Sequence, residues 1–350
     1  MSLDRDASQA LLEQVTQALH STTPLRIQGS GSKAMLGRTV SGEALDTRIH
    51  RGVVSYDPTE LVITARAGTA LVEVEAILHE AGQMLACEPP HLGLEATVGG
   101  MVAAGLSGPR RPWAGAVRDY LLGIRMITGQ GKLLRFGGEV MKNVAGYDVA
   151  RLMAGSFGCL GVLTEVSLKV LPRPRECLSL RLPLARAEAL EQLRAWGQQP
   201  LPISAACHDG EALHLRLEGG PGSVQSARQR LGGELLDNAY WRDLREQRLA
   251  FFEDPAPLWR LSLPTASGEP ALAGRQLVDW AGAQRWLKST ASAQAIREQV
   301  ALLGGHATCY AASDLSMPAL PVALLRYHRA LKRQLDPQGI FNPGRLYPDL

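Results

Sequence analysis

Glycine placement constrains this chain more than any other feature of it. The segment Gly93–Gly161 holds 15 glycines in 69 positions, out of 36 in the whole 350-residue chain. No G-X-Y period runs through the segment, so a collagen helix is excluded. Val, Ile, Leu and Met occur throughout it, so it is not a disordered Gly/Ser linker. Glycines of this kind belong to turns and close backbone approaches inside a folded unit.

The flanking patterns give the elements. Ala7–His20 predicts an amphipathic helix, with Leu11, Leu12, Val15 and Leu19 on one face. Pro24–Ile27 predicts a short strand, and Val53–Tyr56 and Leu61–Ala65 predict two more around the Asp57-Pro58 turn. A helix follows over Ala70–Ala81. Leu121–Thr128 and Lys132–Phe136 flank Gly129-Gln130-Gly131 as a hairpin. Leu160–Val170 alternates with period two, a strand with one wet face. The prolines of Leu171–Arg175 mark a boundary. Beyond it, Leu178–Leu182, Ala185–Trp196, Ile203–Cys207, Leu213–Leu217 and Ser223–Leu231 suggest a β-α-β-β-α unit of ferredoxin-like type. Helices are expected over Tyr240–Phe252, Ala293–Leu303 and Val322–Leu335, and strands over Trp259–Leu263 and Gln276–Asp279.

Bulk properties exclude several function classes. The net charge is +3 and aromatics are 5%, with no basic block beyond Pro109-Arg110-Arg111-Pro112. A nucleic-acid surface is therefore not expected. No apolar run reaches the ~18 residues of a membrane span, and the polar start Met1–Asp6 is unlike a signal peptide. A soluble, cytoplasmic protein is expected. Five scattered cysteines without a CxxC supply neither a disulfide framework nor an iron–sulfur site.

Four glycine-bearing motifs carry chemistry. Gly29-Ser30-Gly31-Ser32-Lys33-Ala34 matches G-x-G-x-x-A, but the poor helix after it and the missing acidic partner argue against a Rossmann site. The loop reads equally as an anion cradle and as a plain surface loop. Ala96–Ala103, with Thr97, Gly99 and Gly100, can aim helix-start N–H groups at a phosphate. Gly137–Asp148 and Gly155–Val162 add two further concentrations. Together they suggest a backbone-lined groove for a long, phosphate-bearing ligand.

In this order the motifs resemble those of the vanillyl-alcohol oxidase flavoproteins, whose FAD domain is called PCMH-type. The matching residues are Gln28–Lys33, Asp57-Pro58-Thr59, Ala96–Gly100, Ser107-Gly108, Gly115–Asp119, Lys142–Leu163 and the closing Leu335–Arg345. The resemblance implies an α+β chain in three parts. A two-subdomain FAD domain spans residues 1–175, an α+β cap for substrate or subunit contact spans 176–315, and a segment at 316–350 returns to the FAD domain. Chain length and Gly138–Arg151 are most similar to the FAD-binding subunits of glycolate-oxidising complexes. Noncovalent FAD is implied, since Ser32-Lys33 stands where some relatives carry a linking His. The implied cofactor contacts are Gln28, Gly29, Ser30, Gly31, Ser32, Lys33, Pro89, Thr97, Val98, Gly99, Gly100, Ser107, Gly108, Arg118, Asp119, Gly146, Tyr147, Gly155, Ser156, Gly158, Gly161, Val162, Asn342 and Arg345.

Oxidising a 2-hydroxy acid needs a cation for the carboxylate, a base for the hydroxyl proton and a hydride acceptor. Arg260 and Arg345 are candidates for the carboxylate, and Tyr147 and Lys142 for polar contact at the reacting face. No base is identified, and no metal site: His208, His214 and His306 are widely spaced and read as surface or edge-strand residues. The resemblance implies a second flavoprotein subunit and an iron–sulfur subunit as partners, with peripheral placement at the inner membrane through them. A relay or assembly subunit without its own substrate site is the other reading. Gly305→Ala, in the cap, is expected to leave FAD binding untouched.

Overall fold

The computed structural model describes residues 4–138, 147–311 and 316–350. Lys142 and Gly146 lie outside the described residues. The amino-terminal half is built on a five-stranded antiparallel sheet, Val53–Asp57, Val62–Arg66, Val162–Lys169, Leu121–Ile127 and Leu133–Gly137 in spatial order. The strand expected from alternation at Leu160–Val170 runs over Val162–Lys169. Its expected wet face is nevertheless buried: Glu165 and Ser167 are 6% and 5% exposed. The helix Leu71–Glu80 and the short helix Val98–Ala104 pack on this sheet through Leu71, Val74, Leu78, Val98, Met101 and Val102.

A smaller layer sits beside it. The helix Ser8–Ser21 buries Leu11, Val15 and Ala18 against Leu25, Leu45, Ile127 and Val162. Strand Leu25–Gln28 pairs in parallel with Glu43–Asp46, a strand that the sequence did not announce. Ile340 and Phe341 from the far end of the chain fill the same cluster, and Phe341 bridges Leu25. Burying one such aromatic contributes about 1.5–3 kcal/mol, which is why the tail returns.

The second half carries an eight-stranded sheet. Its first four strands, in the order Glu234–Leu236, Glu176–Leu182, Leu213–Gly219 and Ile203–His208, with helices Arg186–Trp196 and Pro221–Leu231, form the ferredoxin-like unit. Strands Arg275–Asp279, Gln284–Lys288, Leu258–Ser262 and His306–Cys309 extend it through antiparallel pairing of His208 with Val278. One expectation fails here. The helix expected over Tyr240–Phe252 is confined to Ala239–Arg245. At the proline stretch, Leu171–Pro172 pairs back onto Gln83–Met84.

A buried charge cluster ties the halves together. Arg216 makes a two-point contact with Glu88 (2.8 and 3.0 Å), and Arg110 makes another with Glu218 (2.6 and 2.8 Å). Planar guanidinium–carboxylate forks of this kind fix orientation as well as adding energy. The two arginines together hold the Glu88 carboxyl below its ordinary range against the opposing effect of burial. Trp280 Nε1 donates to the Gly108 carbonyl at 3.0 Å across the same seam.

Candidate functional site

The amino-terminal half holds a cavity of about 310 Å³. Three glycine-bearing loops and the carboxyl-terminal tail line it. From the first loop come Gln28, Gly29, Ser30, Gly31, Ser32 and Lys33, from the second Thr97, Gly99 and Gly100, and from the third Ser156, Gly158 and Gly161, with Asn342 and Arg345 from the tail. The seven-residue helix starting at Val98 ends on the wall at Ala103 and Ala104.

The loops contribute differently. Among the described residues no protein acceptor meets the backbone N–H groups of Ser30, Gly31 and Lys33. Gly31 takes φ +75° and a Cβ there would point into open space. Small residues with open amides of this kind let a charged group reach the main chain. The helix start behaves otherwise. Val98 donates to Thr69 O (2.9 Å), Gly99 to Ala67 O (2.8 Å) and Gly100 to Thr97 Oγ1 (3.1 Å). Those amides are spent inside the protein, so the expected helix-start phosphate site is not there. Gly99 is glycine for packing: a Cβ would lie 2.8 Å from the Ala67 Cβ.

The tail closes the cavity. Asn342 Oδ1 accepts from Ile27 N–H at 2.7 Å, and Nδ2 donates to Phe157 O at 2.7 Å. One side chain thus joins the first strand, the third loop and the tail. Gly158, at φ +72°, leaves room for it, since a Cβ there would stand 2.7 Å from Asn342 Nδ2. Arg345 donates to the carbonyls of Arg38 (2.6 Å) and Ala34 (3.3 Å), which fixes the turn after the first loop. It is a positioning residue of this cavity rather than a carboxylate clamp. Lys33 Nζ donates to His91 O at 2.9 Å, and burial lowers its pKa to about 8.

A second cavity, about 480 Å³, lies between the halves. The two cavities back onto each other: Ala104 and Ser156 line the first, Gly105 and Gly155 the second. A Cβ on Gly105 would come within 2.9 Å of Gly155 N, so only glycine lets these segments meet. Arg111, Arg118, Arg260 and His306 line the chamber together with Ser107 and Trp280. Arg111 stacks on the Trp280 ring with its guanidinium carbon 4.5 Å from the centroid. Neither Arg111 nor Arg260 has an acidic ion-pair partner among the described residues, and Arg260 Nε is buried without an acceptor. Burial, and then Arg260, lower the pKa of Arg111; the same two causes in that order lower that of His306. Guanidiniums without carboxylate partners have donors free to meet an anion.

Beside the chamber, Arg260 and Ser107 also line a narrow crevice with Asp279. Burial raises the Asp279 carboxyl to about 7, against hydrogen bonds from Trp280 N–H (2.7 Å) and Gln284 Nε2 (3.1 Å) that favour its charged form. Its pKa in the fold exceeds the unfolded value near 3.8, so its stabilising contribution is whole below about pH 4 and is lost as pH rises through about 7. Asp279→Asn should therefore raise Tm more at pH 8.5 than at pH 5, which thermal melts at the two values will check; an equal shift at both would contradict it.

Other sequence candidates fall elsewhere. Tyr147 is 72% exposed and lines neither cavity. Val98 and Val162 are core residues, and Pro89 is buried. Asp119 accepts Ala116 N–H at 2.8 Å and caps the turn before Arg118. Gly108 is a contact of the seam, where a Cβ would strike the Glu88 carbonyl. His208 and His214 are buried rather than surface residues. His208 Nε2 lies 3.0 Å from Leu184 O, and His214 Nε2 lies 2.8 Å from Asp209 while the ring stacks on Tyr240. Gly305 is not a silent position, since a Cβ would strike the Ser262 carbonyl. The sequence did not single out Arg111 or Trp280 as site residues, and His306, exposed on the edge strand as expected, was not foreseen on a chamber wall. Its one signal was the pair Arg110-Arg111, which the fold divides between the charge cluster and the chamber.

A cleft lined by three glycine loops and closed by a returning tail thus has a second cavity behind it, under a second sheet. The FAD binding domain family matches residues 7–137. The chain belongs to the FAD-binding, PCMH-type flavoproteins. It is 62% identical over 345 residues to glycolate oxidase subunit GlcE of Escherichia coli (strain K12), covering 99% of both chains. It is 30% identical over 153 residues to glycolate oxidase subunit GlcD of Bacillus subtilis (strain 168), covering 43% of this chain and 32% of that one. A solved alkyldihydroxyacetonephosphate synthase shares the fold, with TM-score 0.69 and 17% identity, over 96% of this chain and 75% of the other. Among the described residues no helix is long and apolar enough to cross a membrane.

Proposed function

We propose that this chain is the FAD-binding E-type subunit of a glycolate oxidase complex and that it oxidises glycolate to glyoxylate. The observation that carries the reading is the near-complete alignment with the E. coli subunit. The geometry supports where each part goes. The first loop takes the FAD pyrophosphate on its open amides, and Asn342 and Arg345 hold that loop and the tail in place. Gly105 and Gly155, which stand between the two cavities, would flank the ring end of the bound cofactor. Bound FAD supplies the acceptor of the hydride from the hydroxyl-bearing carbon.

The chain supplies the rest. Arg260, with Arg111 across the chamber, binds the glycolate carboxylate. Trp280 holds Arg111 in place through its ring face. His306, which lines the chamber on the strand next to Arg260, would accept the hydroxyl proton as the hydride leaves. The cofactor is held noncovalently, and residues 176–315 act as the cap. Electrons then pass to a second flavoprotein subunit and an iron–sulfur subunit, or to a quinone. The complex is cytoplasmic and meets the inner membrane through those partners. Anaerobic addition of glycolate to the FAD-loaded chain tests the reading. Bleaching of the flavin is expected, whereas persistence of the flavin spectrum would make the chain a relay or assembly subunit.

A further inference from the structure

The helix Val322–Leu335 is buried only at its carboxyl-terminal end. Lys332 is its single buried residue. Lys332 Nζ donates to Cys159 O (2.8 Å) and Phe341 O (2.6 Å) and pairs with Asp336 (2.8 Å), so the last turn is clamped. The first turns are not covered: Val322, Leu324 and Tyr327 are 86%, 48% and 57% exposed. Three large apolar side chains are thus uncovered within six residues, spread around the helix rather than on one face.

The helix is also strongly cationic. Arg326, Arg329, Lys332 and Arg333 stand on it with no acidic residue, more positive charge than the +3 of the entire chain. Val322, Leu325, Arg326, Arg329, Lys332 and Arg333 line a groove of about 560 Å³ whose other wall is Asp349 and Leu350. Arg329 pairs with Asp349 at 2.6 Å, while Arg326 and Arg333 have no acidic partner among the described residues.

We infer that this groove docks a carboxylate-bearing segment of another subunit of the oxidase, an inference that rests on the subunit reading above. The charge disfavours a symmetric contact with a second copy of this chain, which would set the same cations against each other. The geometry disfavours a lipid surface. At ~100° per residue, Val322 and Tyr327 stand about 140° apart, so the apolar groups do not form the single stripe a membrane-lying helix presents. Instead Val322 and Leu325 share one concave face with the cations. An apolar anchor rimmed by guanidiniums suits an acidic protein segment, where Arg is a favoured contact residue.

The test co-expresses the tagged full chain with the flavoprotein and iron–sulfur subunits of the oxidase from the same source. Arg326→Glu combined with Arg333→Glu should lower the recovery of at least one subunit at least tenfold on tag capture. FAD content and Tm should stay at wild-type values, and Arg326→Lys with Arg333→Lys should restore recovery. Equal recovery of every subunit with the Glu pair would overturn the docking site and leave the subunit reading standing. Failure of the wild-type chain to capture either subunit would overturn both. Loss of binding to phosphatidylglycerol vesicles, or of a concentration-dependent dimer, with subunit capture intact would assign the face to lipid or to self-association and overturn the inference.

Discussion

Gly31→Val should purify with less than about a tenth of the wild-type FAD content. Two effects act together. The residue sits at φ +75°, where an L side chain costs roughly 1–2 kcal/mol. The new side chain also enters the open cavity beside the unpartnered amides of Ser30, Gly31 and Lys33. A tenfold loss corresponds to about 1.4 kcal/mol, so either effect alone nearly suffices. Gly100→Val should act more weakly, because a Cβ there meets only Thr97 Oγ1, at 3.0 Å. Gly222→Ala is the proper control, since Gly222 lies in a helix of the second half with nothing within 4 Å of its added Cβ. The flavin-to-protein absorbance ratio reads all three. Full FAD retention in Gly31→Val would remove the first loop from the cofactor site.

Arg260→Met should lower kcat/KM for glycolate by roughly 10–100-fold with FAD content unchanged. Hydrogen bonds to charged groups contribute about 1.5–3 kcal/mol, which sets that range. Methionine keeps the packing of the side-chain stem, so lost charge is what is measured. Arg111→Met should lower kcat/KM less, since Arg111 is the more exposed of the two and leans on Trp280. Steady-state kinetics with a dye acceptor checks both. Unchanged kcat/KM in Arg260→Met would take the substrate out of the chamber.

The first cavity was largely legible because its parts are local in sequence. Gly29–Lys33, Gly155–Gly161 and Asn342–Arg345 each announce a tight backbone, and all three line one cavity. What the residue types left hidden was the use of each backbone group. The Thr97–Gly100 amides are consumed by Thr69, Ala67 and Thr97, which no spacing rule reveals. The chamber was not legible. Arg111, Arg260 and His306 come from three distant segments, and the last two meet through the pairing of Leu258–Ser262 with His306–Cys309. Strand Gln284–Lys288 stayed hidden for a related reason. Every residue in it is buried, including Arg285 and Lys288, so its polar pattern imitates a solvated face. Lys288 is tolerated there because its Nζ donates to Ala256 O at 3.1 Å and to Asp254 O at 2.5 Å.

The excess of glycine separates into distinct tasks. Gly31 opens the cradle, Gly99 and Gly105 allow close packing, and Gly129 lies against the backbone of Asp336 in the returning tail. All of these support a cofactor cleft whose far end meets the chamber.

The central claim is that a 2-hydroxy acid in that chamber gives its hydride to a flavin held by this chain. The most direct measurement is anaerobic mixing of glycolate with the purified, FAD-loaded chain while the flavin spectrum is followed. The account predicts full bleaching that is slowed in Arg260→Met. A spectrum unchanged by saturating glycolate would contradict it.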